Sequence, residues 1–266
     1  MFEILQYSFI IRGFEAGVII AIIAPLIGIY LVLRRYSLIA DTLSHVSLAG
    51  IAIGLIIRVN LLLSAIAATL ISSIVIEKMR ISKKIYGESA LAIFLSGSLA
   101  VAVTLISFAH GFNIDLFNYL FGSIVTVKQG DVFIIAALGA VVITFIVVFS
   151  KELLYVTFDE EAAKVSGIPT KFINYMLIAL SAITVSLAIP IVGVLLISAL
   201  IVVPVITALQ FKRSFTQTVI LAEIISVFSV ISGIVVSFYL DLSTGGVIVL
   251  ITMLFLLVTS ILKRLD

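Results

Sequence analysis

The sequence predicts an all-α polytopic membrane protein with about eight to nine transmembrane helices, filling a single domain over residues 1–266. Of its residues 63% are hydrophobic and only 11% charged, against about 45–50% and 25% in soluble domains. The apolar residues gather into runs of roughly 20, the number of helical residues that crosses a hydrocarbon core about 30 Å thick. Lys and Arg, finally, concentrate in alternate connections between the runs.

Read between charges, the runs place spans at 9–33, 38–57, 61–77, 89–109, 131–150, 172–189, 190–210, 217–239 and 246–262. The first ends in Arg34-Arg35 rather than at a small-residue cleavage site, so it reads as a retained span and not a signal peptide. Segment 111–130 is too polar to span and either lies at the surface or re-enters. The stretch 172–210 divides at Pro190 and Gly193. With the N-terminus outside, the inner connections hold Arg34, Arg35, Lys78, Arg80, Lys83, Lys84, Lys151, Lys164, Lys171, Lys212, Arg213, Lys263 and Arg264. The outer side keeps only Arg12, Arg58 and Lys128, and this asymmetry orients the chain and supports nine spans with the C-terminus inside.

Composition also excludes. Without cysteine there are no disulfides and no thiolate metal sites, so any metal is held by oxygen or imidazole nitrogen. No basic cluster suggests nucleic acid, and no GxxxxGK[ST] loop supplies an ATP site.

The second span carries Asp41 and one of only two histidines, His45. Residues four apart share a helix face, so carboxylate and imidazole converge and can grip one cation. Counted from Arg35, His45 lies about 15 Å deep at 1.5 Å per residue. Ala49 and Ala52 continue that face with little bulk, while Ser44 and Ser47 lie close enough to supply hydroxyls or support the ligands. The same spacing also allows a purely structural pair, each group satisfying the other at a helix interface. The cost of ionisable groups in a bilayer favours a pathway.

The segment LRRYSLIADTLSHVSLAG resembles the signature of permease subunits of ABC importers for zinc and manganese, the ABC-3 family. FDEEAAKVSGIP (158–169) is similar to the family's coupling segment, and VGVLLISALIVVPVITA (192–208) to its late apolar block. NYLFGSIVTV (118–127) and DLSTGGVIVL (241–250) resemble further family segments, in the same order along the chain. The resemblance implies a type II-like importer permease of a prokaryotic cytoplasmic membrane, working as a homodimer. It implies that Asp41 and His45 ligate the transported metal, with no permanently bound cofactor. It also implies a separate ATPase subunit that uses the ATP and an extracytoplasmic metal-binding protein. The wording ADTLSHVSLAG looks more like the zinc members than the manganese members.

Between Lys151 and Lys171 the residues themselves read as a short punctuated helix. Asp159 suits the N-cap, Glu160 and Glu161 the first turn, Gly167 the C-terminal cap and Pro169 the stop. Ala162, Ala163, Val165 and Ile168 are expected to give a small, partly apolar surface. Such a helix fits a groove on a partner or lies on the membrane; the resemblance favours docking to the ATPase.

Other polar residues read as structural. Glu15 and Glu223 suit interfacial or interhelical bonding, and His110 with Asp115 suits a surface loop better than a metal-capture site. Gly97, Ser98, Ala100, Gly193 and Ser198 suit close helix packing. Two competing functions remain at this level: an intramembrane hydrolase, for which there is no HExxH, and a passive or secondary metal transporter.

Overall fold

A computed structural model describes residues 7–82, 87–108 and 114–265, and among these the chain is helical with no strand. Twelve α-helices follow in order: α1 (Ser8–Leu33), α2 (Leu38–Ile57), α3 (Leu61–Ile81), α4 (Gly87–Phe108), α5 (Ile114–Phe121), α6 (Gln129–Val148), α7 (Ser150–Phe158), α8 (Glu160–Val165), α9 (Thr170–Val192), α10 (Ile197–Leu209), α11 (Phe215–Leu240) and α12 (Thr244–Leu265). Eight of them, α1, α2, α3, α4, α6, α9, α11 and α12, are long and apolar enough to cross a membrane. The expected bounds hold to within four residues for these eight.

The span expected at 190–210 needs correction. Pro190 does not break the chain; α9 runs through it and stops at Gly193, whose φ of +88° is a conformation that side chains resist. α10 then has only 13 residues, about 20 Å at 1.5 Å per residue and short of a full crossing. The gap is closed by backbone pairing from segment 111–130, whose α5 is also too short to span. Val194 N–H donates to Tyr119 O at 2.9 Å, Leu195 N–H to Leu120 O at 3.2 Å, and Ser123 N–H to Pro190 O at 3.0 Å. Carbonyls and amides freed at a helix break inside an apolar bundle must find partners, and these are theirs.

The helices alternate in direction, so the connections fall at two ends. The N-terminus of α1, α5, the α9–α10 break and the α11–α12 turn share one end, where Tyr7 packs on Phe238. The α1–α2 turn, the C-terminus of α3, α7, α8 and the start of α9 share the other. Among the described residues Arg34, Arg35, Lys78, Arg80, Lys151, Lys164 and Lys171 of the inner set belong to elements of this second, basic end. Lys83, Lys84 and His110 lie outside the described residues, and Asp115 falls in α5.

α1 and α9 are the most enclosed spans together with α2, which is wedged between α3, α4, α9 and α10. Two glycines one turn apart, Gly50 and Gly54, let α3 approach α2 closely, and Ser64 Oγ donates across the seam to Gly50 O at 2.7 Å. Thr69 and Ser186 bond at 2.8 Å between α3 and α9.

Candidate functional site

α2 begins at Leu38, and Asp41 stands in its first turn, where the helix dipole favours a carboxylate. His45 follows one turn on, and both side chains are half-buried in an otherwise enclosed helix. The structural pair that their spacing allows is not formed: neither an ion pair nor a hydrogen bond joins them among the described residues. His45 Nδ1 is buried without a hydrogen-bond partner, and so is Ser47 Oγ. An unsatisfied buried imidazole nitrogen is costly. Ser44 is committed elsewhere, its hydroxyl donating to Asp41 O of the backbone at 2.8 Å.

The small-residue face divides. Ala49, with Val46 and Ile53, lines a cavity of about 450 Å³ between α2, α3 and α4 whose other walls include Ser72, Gly97 and Ser98. Ala52 is sealed into a small apolar cluster with Leu48 and Ala65, which Ala49 also joins. Gly97 therefore does not serve close packing, since a Cβ there would meet nothing within 4 Å. No group of three or more His, Asp or Glu that could hold a metal forms among the described residues.

Beneath α2, at the basic end, lies a charged cluster that sequence reasoning missed. Glu77 of α3 is 0% exposed and accepts from Arg80 Nε at 2.8 Å and Nη2 at 2.7 Å. The Arg80 guanidinium lies 5.8 Å from the Tyr36 ring centre, a cation–π contact to the α1–α2 turn. Arg34, the residue capping α1, donates to Glu160 of α8 at 3.3 Å. Burial lowers the Arg34 pKa, and the like charge of Arg80 lowers it further, against the pull of Glu160 and Glu77. Burial likewise pushes the Tyr36 phenol up to about 12, with Glu77 adding to the rise. The signal available in sequence was Glu77 three residues before Arg80, a helical ion-pair spacing.

α8 forms as its sequence predicts. Ala162 N–H donates to Asp159 Oδ1 at 2.9 Å, capping the helix. Gly167, at φ +85°, follows the last turn, and Ile168 N–H returns to Ala163 O. Its surface differs from expectation. Ala163 is fully buried and anchors α8, and half-exposed Glu160 reaches to α9, where its Oε1 accepts from Asn174 Nδ2 at 2.7 Å. Glu161 is exposed, Ala162 half-buried, and the displayed apolar groups are Val165, 90% exposed, and Phe158 at the end of α7. Glu15 is exposed, and Glu223 borders an apolar groove between α1 and α11.

An eight-span helical bundle with ionisable groups on a buried helix is a polytopic membrane protein, and comparison with known proteins supplies the family. Residues 6–263 match the ABC 3 transport family, and the chain belongs to it. It is 36% identical to a probable metal transport system membrane protein of Treponema pallidum, over 98% of this chain and 97% of the relative. It is 30% identical to the manganese transport system membrane protein MntC of Halalkalibacterium halodurans, over 94% and 85%. It is 31% identical to the high-affinity zinc uptake system membrane protein ZnuB of Haemophilus influenzae, over 99% of each. Among solved structures it is similar to PsaBC from Streptococcus pneumoniae in complex with Fab, with a TM-score of 0.86 and 30% identity over 96% of this chain and 92% of that one. The chain is thus the membrane permease of an ABC transporter, a transport component rather than an enzyme.

Proposed function

We propose that this permease imports a divalent transition metal, zinc first and manganese next, and that Asp41 and His45 hold the cargo in passage. The observation that carries the reading is the buried, unpartnered Nδ1 of His45 one turn from the Asp41 carboxylate. One imidazole and one carboxylate suit both metals, and two strong donors suit a transport site because release must follow capture. The names of the relatives include both metals.

Half-exposed Asp41 and His45 facing lipid would be expensive, so that side of α2 belongs against water or a second copy of the chain. A homodimer with two α2 helices flanking one path answers that need. The basic end is cytosolic by the positive-inside rule, which leaves the N-terminus outside a prokaryotic cytoplasmic membrane. Val165 and Phe158 then face the cytosol, where they fit an ATPase subunit's groove, and an extracytoplasmic metal-binding protein delivers cargo to the opposite end.

The test is zinc and manganese uptake into proteoliposomes holding the permease, its ATPase subunit and the binding protein. Uptake is expected only with ATP and only with the ATPase present. Uptake that persists without either would identify a passive or secondary carrier instead, and ATP-independent cleavage of a membrane substrate would identify a hydrolase.

A further inference from the structure

We propose that the Arg34–Glu160 ion pair, braced by Asn174, is the link through which a displacement of α8 reaches Asp41 and His45. The proposal rests on the reading of α8 as the ATPase-docking element. α8 is only six residues long, and buried Ala163 and half-exposed Glu160 hold it to the bundle. Ala163 provides a packing anchor without direction. Glu160 provides the directional one: its Oε1 accepts from Asn174 of α9 at 2.7 Å and its Oε2 from Arg34 at 3.3 Å.

Arg34 is no ordinary surface arginine, since its side chain is only 12% exposed. It occupies the turn between α1 and α2, where Arg35 takes a left-handed φ of +56° and Tyr36 N–H bonds back to Leu31 O at 2.8 Å. That turn feeds α2 directly, and Ile39 N–H bonds to Tyr36 O at 3.2 Å at its first residues. Asp41 stands within the same opening turn of the helix. Motion of the Arg34 backbone is therefore motion of the foot of the metal-bearing helix.

The charges favour the tie. Two arginines, Arg34 and Arg80, share this cluster with two carboxylates, and the 0%-exposed Glu77 already takes both of its bonds from Arg80. Glu160 is the carboxylate left for Arg34. If α8 moved alone, a largely buried guanidinium would lose its one direct carboxylate partner and keep only the more distant pull of Glu77 against the like charge of Arg80, which favours α8 and the turn moving together. Neighbouring Glu161 is exposed and makes no such bond, which provides an internal control.

The experiment measures metal taken up per ATP hydrolysed in proteoliposomes of the complete transporter, together with the ATPase subunit that co-purifies. Glu160→Gln is expected to keep the ATPase bound and hydrolysing while uptake per ATP falls at least tenfold; Glu161→Gln stays within twofold of wild type. The exchanged pair Arg34→Glu with Glu160→Arg is expected to restore at least half of the ratio. Asn174 Oδ1, buried without a partner, can accept from the incoming guanidinium. A merely stabilising pair would not move the ratio at all. An unchanged ratio in Glu160→Gln, a loss that the exchange does not restore, or loss of the ATPase from Glu160→Gln would each overturn the link. Should Glu160→Gln not accumulate, Arg34→Lys is read in its place, with a two- to fivefold drop expected and an unchanged ratio overturning the link. Val165→Asp separates this proposal from the reading beneath it. If that variant loses the ATPase while Glu160→Gln stays coupled, only the link fails; if it keeps both ATPase and uptake, α8 is not the docking element.

Discussion

His45→Ala is expected to lower ATP-dependent metal uptake by about 100-fold or more, given that removing even a supporting residue of a metal site costs 10–100-fold. Its assembly with the ATPase subunit is expected to be unchanged. The reason is that His45 Nδ1 has no hydrogen-bond partner among the described residues, so the substitution strips no partner from another buried group there. Uptake assays and co-purification on the same preparation check both halves. Normal uptake would return His45 to a packing role, and loss of the complex would make it a structural residue of the assembly.

The largest effect on folding is expected at Gly245, where three segments distant in sequence cross. A Cβ on Gly245 would run into Val192 O and lie 2.5 Å from Phe121 O, and both obstacles are backbone. Val192 is fixed by the break at Gly193, and Phe121 O already accepts from Ser243 Oγ at 2.8 Å. Nothing there can rotate away. Gly245→Ala is therefore expected to destabilise by about 3 kcal/mol, read as a lower melting midpoint in detergent. Gly97→Ala, with open space for its methyl, is the matched control and is expected to melt with wild type. Equal melting of the two variants would mean that the crossing is looser than its geometry implies.

That crossing also explains where the sequence was legible and where it was not. Eight spans were readable because crossing length and terminal charges are local properties of the chain. α10 was not, because hydropathy runs almost unbroken from 172 to 210 and cannot see a backbone turn. The break is decided by Gly193 and by hydrogen bonds to Tyr119 and Leu120, more than 70 residues earlier. Proline was the misleading cue: Pro190 is tolerated near a helix end, where few bonds remain to be lost.

The site divides in the same way. That Asp41 and His45 stand one turn apart on one helix was legible from their spacing, and the Asp159 cap from its neighbours in sequence. What Ser44 bonds to was not, since a hydroxyl in a helix can turn to its own backbone. The Arg34–Glu160 pair spans 126 residues and offered no local sign. Glu77 was passed over because it closes an apolar run, where a charge normally reaches for the interface rather than pairing inside. Ala163 was placed on the displayed surface because a small apolar residue fits either face of a short helix; its burial depends on α7 and α9 beside it.

The most direct measurement is the zinc retained by the purified, nucleotide-free transporter in lipid nanodiscs, determined by elemental analysis for wild type and for Asp41→Asn combined with His45→Ala. Wild type is expected to retain zinc in fixed proportion to the permease, and the double variant to retain none above background. Equal retention by the two would contradict the assignment of Asp41 and His45 as the donors that hold the cargo in the membrane.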